Sequence, residues 1–344
     1  MFKVKNLIIL IKILIIALVI ESFFTFILGF QSKEELNTCK RIYDKKNDFH
    51  QYSPNCENIV KHWEQKNFIS YKINSEGRRD LTSQKYNSKK VAFIGDSFTF
   101  GGMVPIEDNY NFYAFNKILK GSFEVHNYGV PAEQIHNVFN KLKTLDENKY
   151  DYFIYGLAPN DFFDLVDGSH GKKIKNINGV QNYKNKKTKM EIFNKIKRYL
   201  LSTATSRFIL HSLMSNDSIY LRTYLSRTPY SGYLLKNLPI EWLKAIDYFD
   251  ESLNSLEVKH KSKLKIFILP QRAEVVSNRL NSYTPTLVTS IVDICNKNKI
   301  DCSFPDINSL SDIKESHFPV DGHFTIEGNH SIAKSLSKWV KSWN

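Results

Sequence analysis

Four short blocks of the chain hold residues whose types and spacing could do chemistry. Gly95-Asp96-Ser97-Phe98-Thr99-Phe100-Gly101 places a serine among small residues, directly after the apolar run 91–94. A serine hydroxyl is a weak nucleophile and needs a base, usually histidine, held by a carboxylate. Asp321-Gly322-His323, near the C-terminus, supplies both within three residues. Acyl transfer through a tetrahedral intermediate also needs donors aimed at the developing negative oxygen. Asn127-Tyr128-Gly129-Val130-Pro131-Ala132 and Asn160-Asp161 are candidates, the first through backbone N–H groups and the second through the neutral Asn160 amide. Taken singly each block is weak, since Asp-Ser pairs are common turns and Asn160 reads equally well as a helix N-cap. Their joint occurrence carries the inference.

The elements needed to position these groups are legible. Short apolar runs at 91–94, 123–126, 152–155, 264–269 and 299–304 read as strands, the fourth ended by Pro270. They alternate with helical periodicity, the signature of βα units and a parallel sheet. Ile135, Val138, Phe139, Leu142 and Leu145 share one helical face, with Pro131 near its start. Ile326, Ile332, Ala333, Leu336, Val340 and Trp343 make a similar stripe on a last helix. Ser97, the 127–132 block and Asn160 then follow the first three strands, where open α/β sheets place their ligands. Residues 165–245 are too long for an ordinary crossover and read as an insertion, Lys/Asn-rich first and helical around 192–213 and 240–256.

In this order the blocks GDSFTFG, NYGVPA, APND and DGH resemble the GDSL/SGNH hydrolase family, over roughly residues 74–340. The resemblance implies a flavodoxin-like three-layer α/β/α fold with a five-stranded parallel sheet. It implies Ser97 as nucleophile and, through its N–H, as oxyanion donor, with His323 as general base and acid and Asp321 as its orienter. The oxyanion hole would be completed by the Ala132 N–H and the Asn160 amide. Family members usually carry glycine where this chain has Ala132 and Ala158. A backbone N–H survives the first change, and Gly129 is the alternative donor if the register is shifted. The lead-in ending Asn74-Ser75-Glu76-Gly77-Arg78-Arg79-Asp80 is similar to a segment preceding the serine block in membrane-attached members.

Other residues carry less. Gln271-Arg272 follow the fourth strand, where Arg272 could reach an anionic or hydroxyl-rich substrate, although a solvated loop is the plainer reading. His317 and His330 flank the dyad and are expected on the surface or on a helix face. Asp96 is expected to orient the serine turn by hydrogen bonding. No phosphate-binding loop, dinucleotide fingerprint or zinc-protease motif occurs, so no cofactor or metal is expected.

Residues 7–30 form an apolar run broken only by Lys12 and Glu21, as long as a bilayer-spanning helix requires. The exit Leu28-Gly29-Phe30-Gln31 is a poor cleavage site, so residues 1–31 read as one N-terminal transmembrane signal anchor, with a cleaved signal peptide as the alternative. Residues 32–88 then form an extended lead-in and 89–344 the hydrolase domain. Counting positive charges around the run would leave the domain in the cytoplasm, yet long C-terminal domains translocate largely regardless of charge. Cys39, Cys56, Cys295 and Cys302 fall into two close pairs; two local disulfides would fit an extracytoplasmic domain, buried thiols are the alternative, and three pairings are open.

The chain of 344 residues carries a formal charge of +13, concentrated at 172–198, where ten basic side chains meet Glu191 alone. Such a stretch would lie on anionic lipid headgroups or an acidic glycan, or simply be solvated. It lacks the aromatic-basic interleaving of a nucleic-acid module, so no nucleic acid is expected. These features together point to a single-pass membrane protein of the cell envelope. It would be a serine esterase acting on an O-acylated glycan or a lipid ester. An O-acyltransferase modifying a surface polysaccharide is the alternative, and a non-catalytic glycan-binding protein is the rival from another class.

Overall fold

The computed structural model describes residues 4–81, 89–120, 123–168, 203–227 and 229–343. The cationic stretch 172–198 lies outside them, as does the first part of the pattern at 192–213. The N-terminal segment contains β1 (Lys33–Asn37), β2 (Arg41–Asp44), β3 (Phe49–Tyr52), β4 (Cys56–Lys61) and β5 (Ile69–Ile73). They make two small antiparallel sheets, β1-β4-β5 and β2-β3.

The five expected strands are present as β6 (Lys90–Gly95), β7 (Glu124–Asn127), β8 (Tyr152–Leu157), β9 (Leu264–Ile268) and β10 (Asp301–Ser303). They form one sheet in the order β10-β9-β8-β6-β7, parallel at every pairing. This is the flavodoxin-like order, and it reverses at β6, which pairs with both β7 and β8. The last strand is shorter than its apolar run because Lys299 takes a left-handed φ of 56° and Pro305 follows closely.

Side chains alternate across the sheet, as a period of two requires. Ala92, Ile94, Phe153 and Tyr155 face one layer, with Ile135, Phe139, Leu142, Trp242 and Phe249. Val91, Phe93 and Ile154 face the other, with Tyr110, Phe115, Ile332 and Leu336. Full burial of each large apolar side chain contributes roughly 1.5–3 kcal/mol, so the two layers fix the sheet between them. The helix Ile135–Thr144 buries the stripe read from the sequence. The helix Ile326–Val340 does so from Ile332 onward, while Ile326 in its first turn is exposed.

The transmembrane expectation for residues 1–31 is not met. An α-helix runs over Val4–Ser22 and passes into a π-helical stretch, Phe23–Ile27, and among the described residues no helix is long and apolar enough to cross a membrane. Three charged residues, Lys5, Lys12 and Glu21, lie in that first helix. Its end is tied to the domain: the Glu21 carboxylate accepts hydrogen bonds from the N–H groups of Ala204 (2.5 Å) and Thr205 (3.0 Å). Phe24 and Phe30 pack on Phe208. Disulfides join Cys39 to Cys56 and Cys295 to Cys302, so both close pairs are bonded.

Candidate active site

Ser97 stands two residues beyond the end of β6, where the strand order reverses. Gly95 ends β6 at φ +151°, where a Cβ would come within 2.8 Å of the Gly156 carbonyl oxygen, so the chain can turn only at a residue without a side chain. Asp96 then caps the single helical turn Ser97–Phe100, its Oδ1 accepting from the Phe98 N–H at 2.9 Å. Its other oxygen, Oδ2, lies 3.3 Å from Ser97 Oγ and accepts from Asn160 Nδ2 at 2.6 Å. Asp96 thus orients the turn, as its type and place lead one to expect.

Ser97 and the dyad are brought together from opposite ends of the chain. His323 Nε2 lies 2.7 Å from Ser97 Oγ, and His323 Nδ1 lies 2.5 Å from Asp321 Oδ1. Burial opposes charge on the imidazole, yet the hydrogen bond and charge of Asp321, with Asp96 behind, push the His323 pKa above its ordinary value. Burial likewise opposes charge on Asp321, but the His323 hydrogen bond and charge outweigh it and hold that carboxyl below the usual range. The line-up can therefore remove the serine proton and keep the resulting imidazolium paired.

Two candidate donors follow the neighbouring strands β7 and β8, and of these Asn160 lines the cleft at Ser97. In the block after β7, the Glu133 N–H reaches the Val130 carbonyl at 3.3 Å, with Pro131 and Ala132 between them. Proline at the second position and φ +62° at the third define a type II turn, which normally takes glycine where Ala132 stands. Among the described residues the Ala132 N–H has no acceptor within the chain. Gly129 is not an equivalent donor, because its N–H is spent on Asn127 Oδ1 at 2.9 Å. Its glycine identity has another cause: a Cβ there would sit 2.4 Å from the Phe100 nitrogen, so the block after β7 can approach the serine turn only at glycine. Asn160 follows β8 in a 3-10 turn, with Nδ2 on Asp96 and Oδ1 accepting from Gln271 Nε2 at 2.7 Å. An amide carries two N–H donors, so one remains for a ligand.

Gln271 and Arg272 are not a solvated loop. Gln271 Oε1 accepts from the hydroxyls of Tyr224 (2.9 Å) and Tyr233 (3.1 Å), which fixes the face that its amide turns to Asn160. Arg272, although it borders the cleft, is buried and spends its guanidinium on the carbonyls of Pro319 and Met214 while stacking on Tyr220. It holds the loop that carries the dyad. His317 is wholly buried rather than on the surface, bonded to the Pro270 carbonyl, and burial drives its pKa down to about 3. Such a residue stays neutral and packs. His330 lies on its helix face as expected, paired with Asp108 and stacked on Tyr113.

The N-terminal segment grips three of the four candidate loops, which no motif announces. Arg79 donates to the carbonyls of Phe100 (3.0 Å), Gly101 (2.5 Å) and Val104 (2.9 Å), just past the nucleophile. Arg41 donates to the Pro131 carbonyl at 2.5 Å and the His50 N–H to Glu133 Oε1 at 3.0 Å, on either side of Ala132. Glu64 accepts from the N–H groups of Val320 (2.9 Å) and Asp321 (2.7 Å). The one sequence signal was the Arg-Arg pair in the lead-in block 74–80.

Above Ser97 opens a cleft of about 330 Å³, walled by Phe163, Leu210, Met214, Tyr220 and Tyr224, with Arg227 among its lining residues. A larger hollow, about 530 Å³, between Pro285, Val292 and Phe304 includes none of Ser97, Asp321 and His323. Among the described residues no group of His, Cys, Asp and Glu could hold a metal ion.

The strand order and the Ser97–His323–Asp321 line are those that the sequence resemblance implies. No family model and no curated protein matches the chain. Solved structures to which it is similar include an acetylxylan esterase, Axe2, from Geobacillus stearothermophilus (12% identity, 74% of this chain and 94% of that one, TM-score 0.38). Another is a structure titled TesA (9% identity, 74% and 99%, TM-score 0.38).

Proposed function

We propose that the chain is a serine esterase of the GDSL/SGNH type that cleaves an acyl ester on an envelope glycan or lipid. The observation that carries this reading is the continuous hydrogen-bonded line Ser97 Oγ, His323 Nε2, His323 Nδ1, Asp321 Oδ1, at 2.7 and 2.5 Å. His323 takes the Ser97 proton as Oγ attacks the ester carbonyl. The oxyanion rests on the Ser97 and Ala132 N–H groups and the free Asn160 N–H, each well-placed donor contributing roughly 3–4 kcal/mol. The imidazolium then gives its proton to the leaving alkoxide, and water, deprotonated by the same histidine, releases the acyl group from Ser97.

Its placement is part of the proposal. Side chains such as Ile13, Ile15, Leu18 and Phe26 are exposed along the N-terminal helix and the turns after it, and apolar surface of that kind fits contact with a membrane. Two disulfides fit an oxidising compartment outside the cytoplasm. The test is labelling of the full-length protein by a fluorophosphonate probe. Labelling lost in Ser97→Ala and kept in Ser88→Ala supports the assignment, and a folded wild type that takes no label overturns it.

A further inference from the structure

Glu64 belongs to none of the four blocks, yet it holds the loop that carries two catalytic groups. Its side chain is fully buried, and its two oxygens each accept one backbone N–H, from Val320 and Asp321, at 2.9 and 2.7 Å. A bidentate carboxylate on two adjacent N–H groups fixes both the position and the rotation of that peptide segment. Asp321 is anchored at its backbone by Glu64 and at its side chain by His323, so its carboxylate has one place to stand. Arg272 holds the preceding residue, Pro319, by its carbonyl. Glu64 is itself fixed by the turn it sits in, where Gln65 accepts from the His62 N–H at 2.7 Å and donates to the Met103 carbonyl at 2.7 Å.

We propose that Glu64 is a positioning residue for the Asp321–His323 dyad, so that the N-terminal segment is part of the catalytic apparatus and not merely a lead-in to it. This rests on the esterase reading above. Only the carboxylate form can accept from both N–H groups without turning a proton toward one of them. Burial raises the Glu64 pKa to about 7, against the hydrogen bonds from Val320 and Asp321. The groups facing it are His62 on its own turn at 3.9 Å, Asp321 on the dyad loop, and Arg272 on the helix Arg272–Arg279. Arg207, on the helix Ala204–Met214, acts on His62. The enzyme then needs His323 neutral and runs at full rate only with Glu64 ionised, so two protonations slow it below neutral pH.

The test compares full-length wild type with Glu64→Gln and Glu64→Asp, using p-nitrophenyl acetate hydrolysis, the rate of fluorophosphonate labelling at Ser97, and the imidazole NMR titration of His323. Glutamine keeps the shape but puts an NH2 group against one of the two N–H groups. A misplaced dyad costs roughly 10- to 100-fold in kcat and in labelling rate, with KM within about twofold. Aspartate keeps the charge and regains part of the rate. The wild-type log kcat falls toward a slope of two per pH unit below pH 6, and Glu64→Gln falls with a slope of one. Should Glu64→Gln fail to fold, the wild-type slope and the Glu64→Asp rate decide alone, and a slope of one with an unimpaired Glu64→Asp enzyme overturns the proposal. So does a folded Glu64→Gln with unchanged kcat, labelling rate and His323 midpoint. If the wild type neither hydrolyses nor labels, the esterase reading fails by itself. The His323 titration then still decides, a lower midpoint in Glu64→Gln supporting the link and an unchanged one refuting it.

Discussion

Replacing Gln271 by methionine is a direct test of how the Asn160 amide is aimed. In the wild type the Gln271 Nε2 donor lies 2.7 Å from Asn160 Oδ1, and this bond, with that from Asn160 Nδ2 to Asp96 at 2.6 Å, sets which way the Asn160 amide is turned. Methionine has similar length and no N–H, so Asn160 loses one of its two locks, while Tyr224 and Tyr233 can still bond each other across 3.3 Å. A neutral hydrogen bond of this kind contributes about 0.5–1.5 kcal/mol, which converts to roughly a 2- to 12-fold fall in kcat if all of it is felt in the transition state. Removing the donor outright, Asn160→Ala, should cost about 10²–10³-fold. The assay is the double-mutant cycle on p-nitrophenyl acetate, with KM followed separately. Because Gln271 acts through Asn160, adding Gln271→Met to Asn160→Ala should cost less than about twofold more. Full additivity would falsify the chain of contacts, and an undiminished kcat in Asn160→Ala would remove the amide from the oxyanion hole altogether.

Ala132→Gly should raise stability slightly, by roughly 0.5 kcal/mol, since relief of about 1 kcal/mol of left-handed strain at φ +62° exceeds the added freedom of the unfolded chain. Thermal melting reads this, and a loss above about 1 kcal/mol would contradict the turn assignment. Arg79→Met leaves the carbonyls of Phe100, Gly101 and Val104 without their buried donor, and urea titration should show a loss of about 3–5 kcal/mol. Hydrolysis needs neutral His323, whose pKa is raised, so the acid limb of kcat/KM should have its midpoint above about 6.5, and Asp321→Asn should lower that midpoint along with the rate. The raised His323 pKa also stabilises the fold fully below the unfolded value of about 6.5 and ceases to as pH rises through the folded value. Melting temperatures of Ser97→Ala should therefore carry a component that declines across neutral pH and is missing from Asp321→Asn. Reduction of Cys39–Cys56, which closes a span of 17 residues, should cost about 3 kcal/mol and loosen the turn region that bears Glu64.

The central sheet is legible because four of its strands, β6 to β9, are short and largely buried on both faces, and the serine, the dyad and Asn160 because chemistry permits few residue types in those places. What stayed hidden is tertiary. Glu64 meets Val320 and Asp321 across 256 and 257 positions of sequence, and no local pattern encodes such a contact. Arg272 looked like a substrate contact because its position after a strand is right, but its guanidinium was already committed to two carbonyls. His317 follows the polar stretch Lys314-Glu315-Ser316 and reads as exposed, whereas the fold turns it inward against Phe324 at a ring separation of 4.6 Å. The apolar N-terminal run was read by hydropathy alone, which carries no sign that Glu21 caps another helix or that Phe24 and Phe30 find Phe208.

The carboxyl groups around Ser97 show why only one of them serves the histidine. Asp96 is nearer the nucleophile than Asp321, with an oxygen 3.3 Å from Oγ, and by proximity alone would compete as the base. Its oxygens already accept from the Phe98 N–H and the Asn160 amide. A carboxylate occupied in this way can orient the turn and lend negative potential to His323, but it has no room to take up a proton during turnover. Asp161 is further withdrawn, buried and bonded to the Tyr155 hydroxyl and the Ala158 N–H. Glu64 faces the backbone of the dyad loop and not its imidazole. Asp321 alone has a free edge toward His323, and there the imidazolium it stabilises holds its own carboxyl ionised. Asp321→Asn should therefore find no substitute among its neighbours: Asp96 lies closest to the reaction, and its commitments to Phe98 and Asn160 keep it from the role.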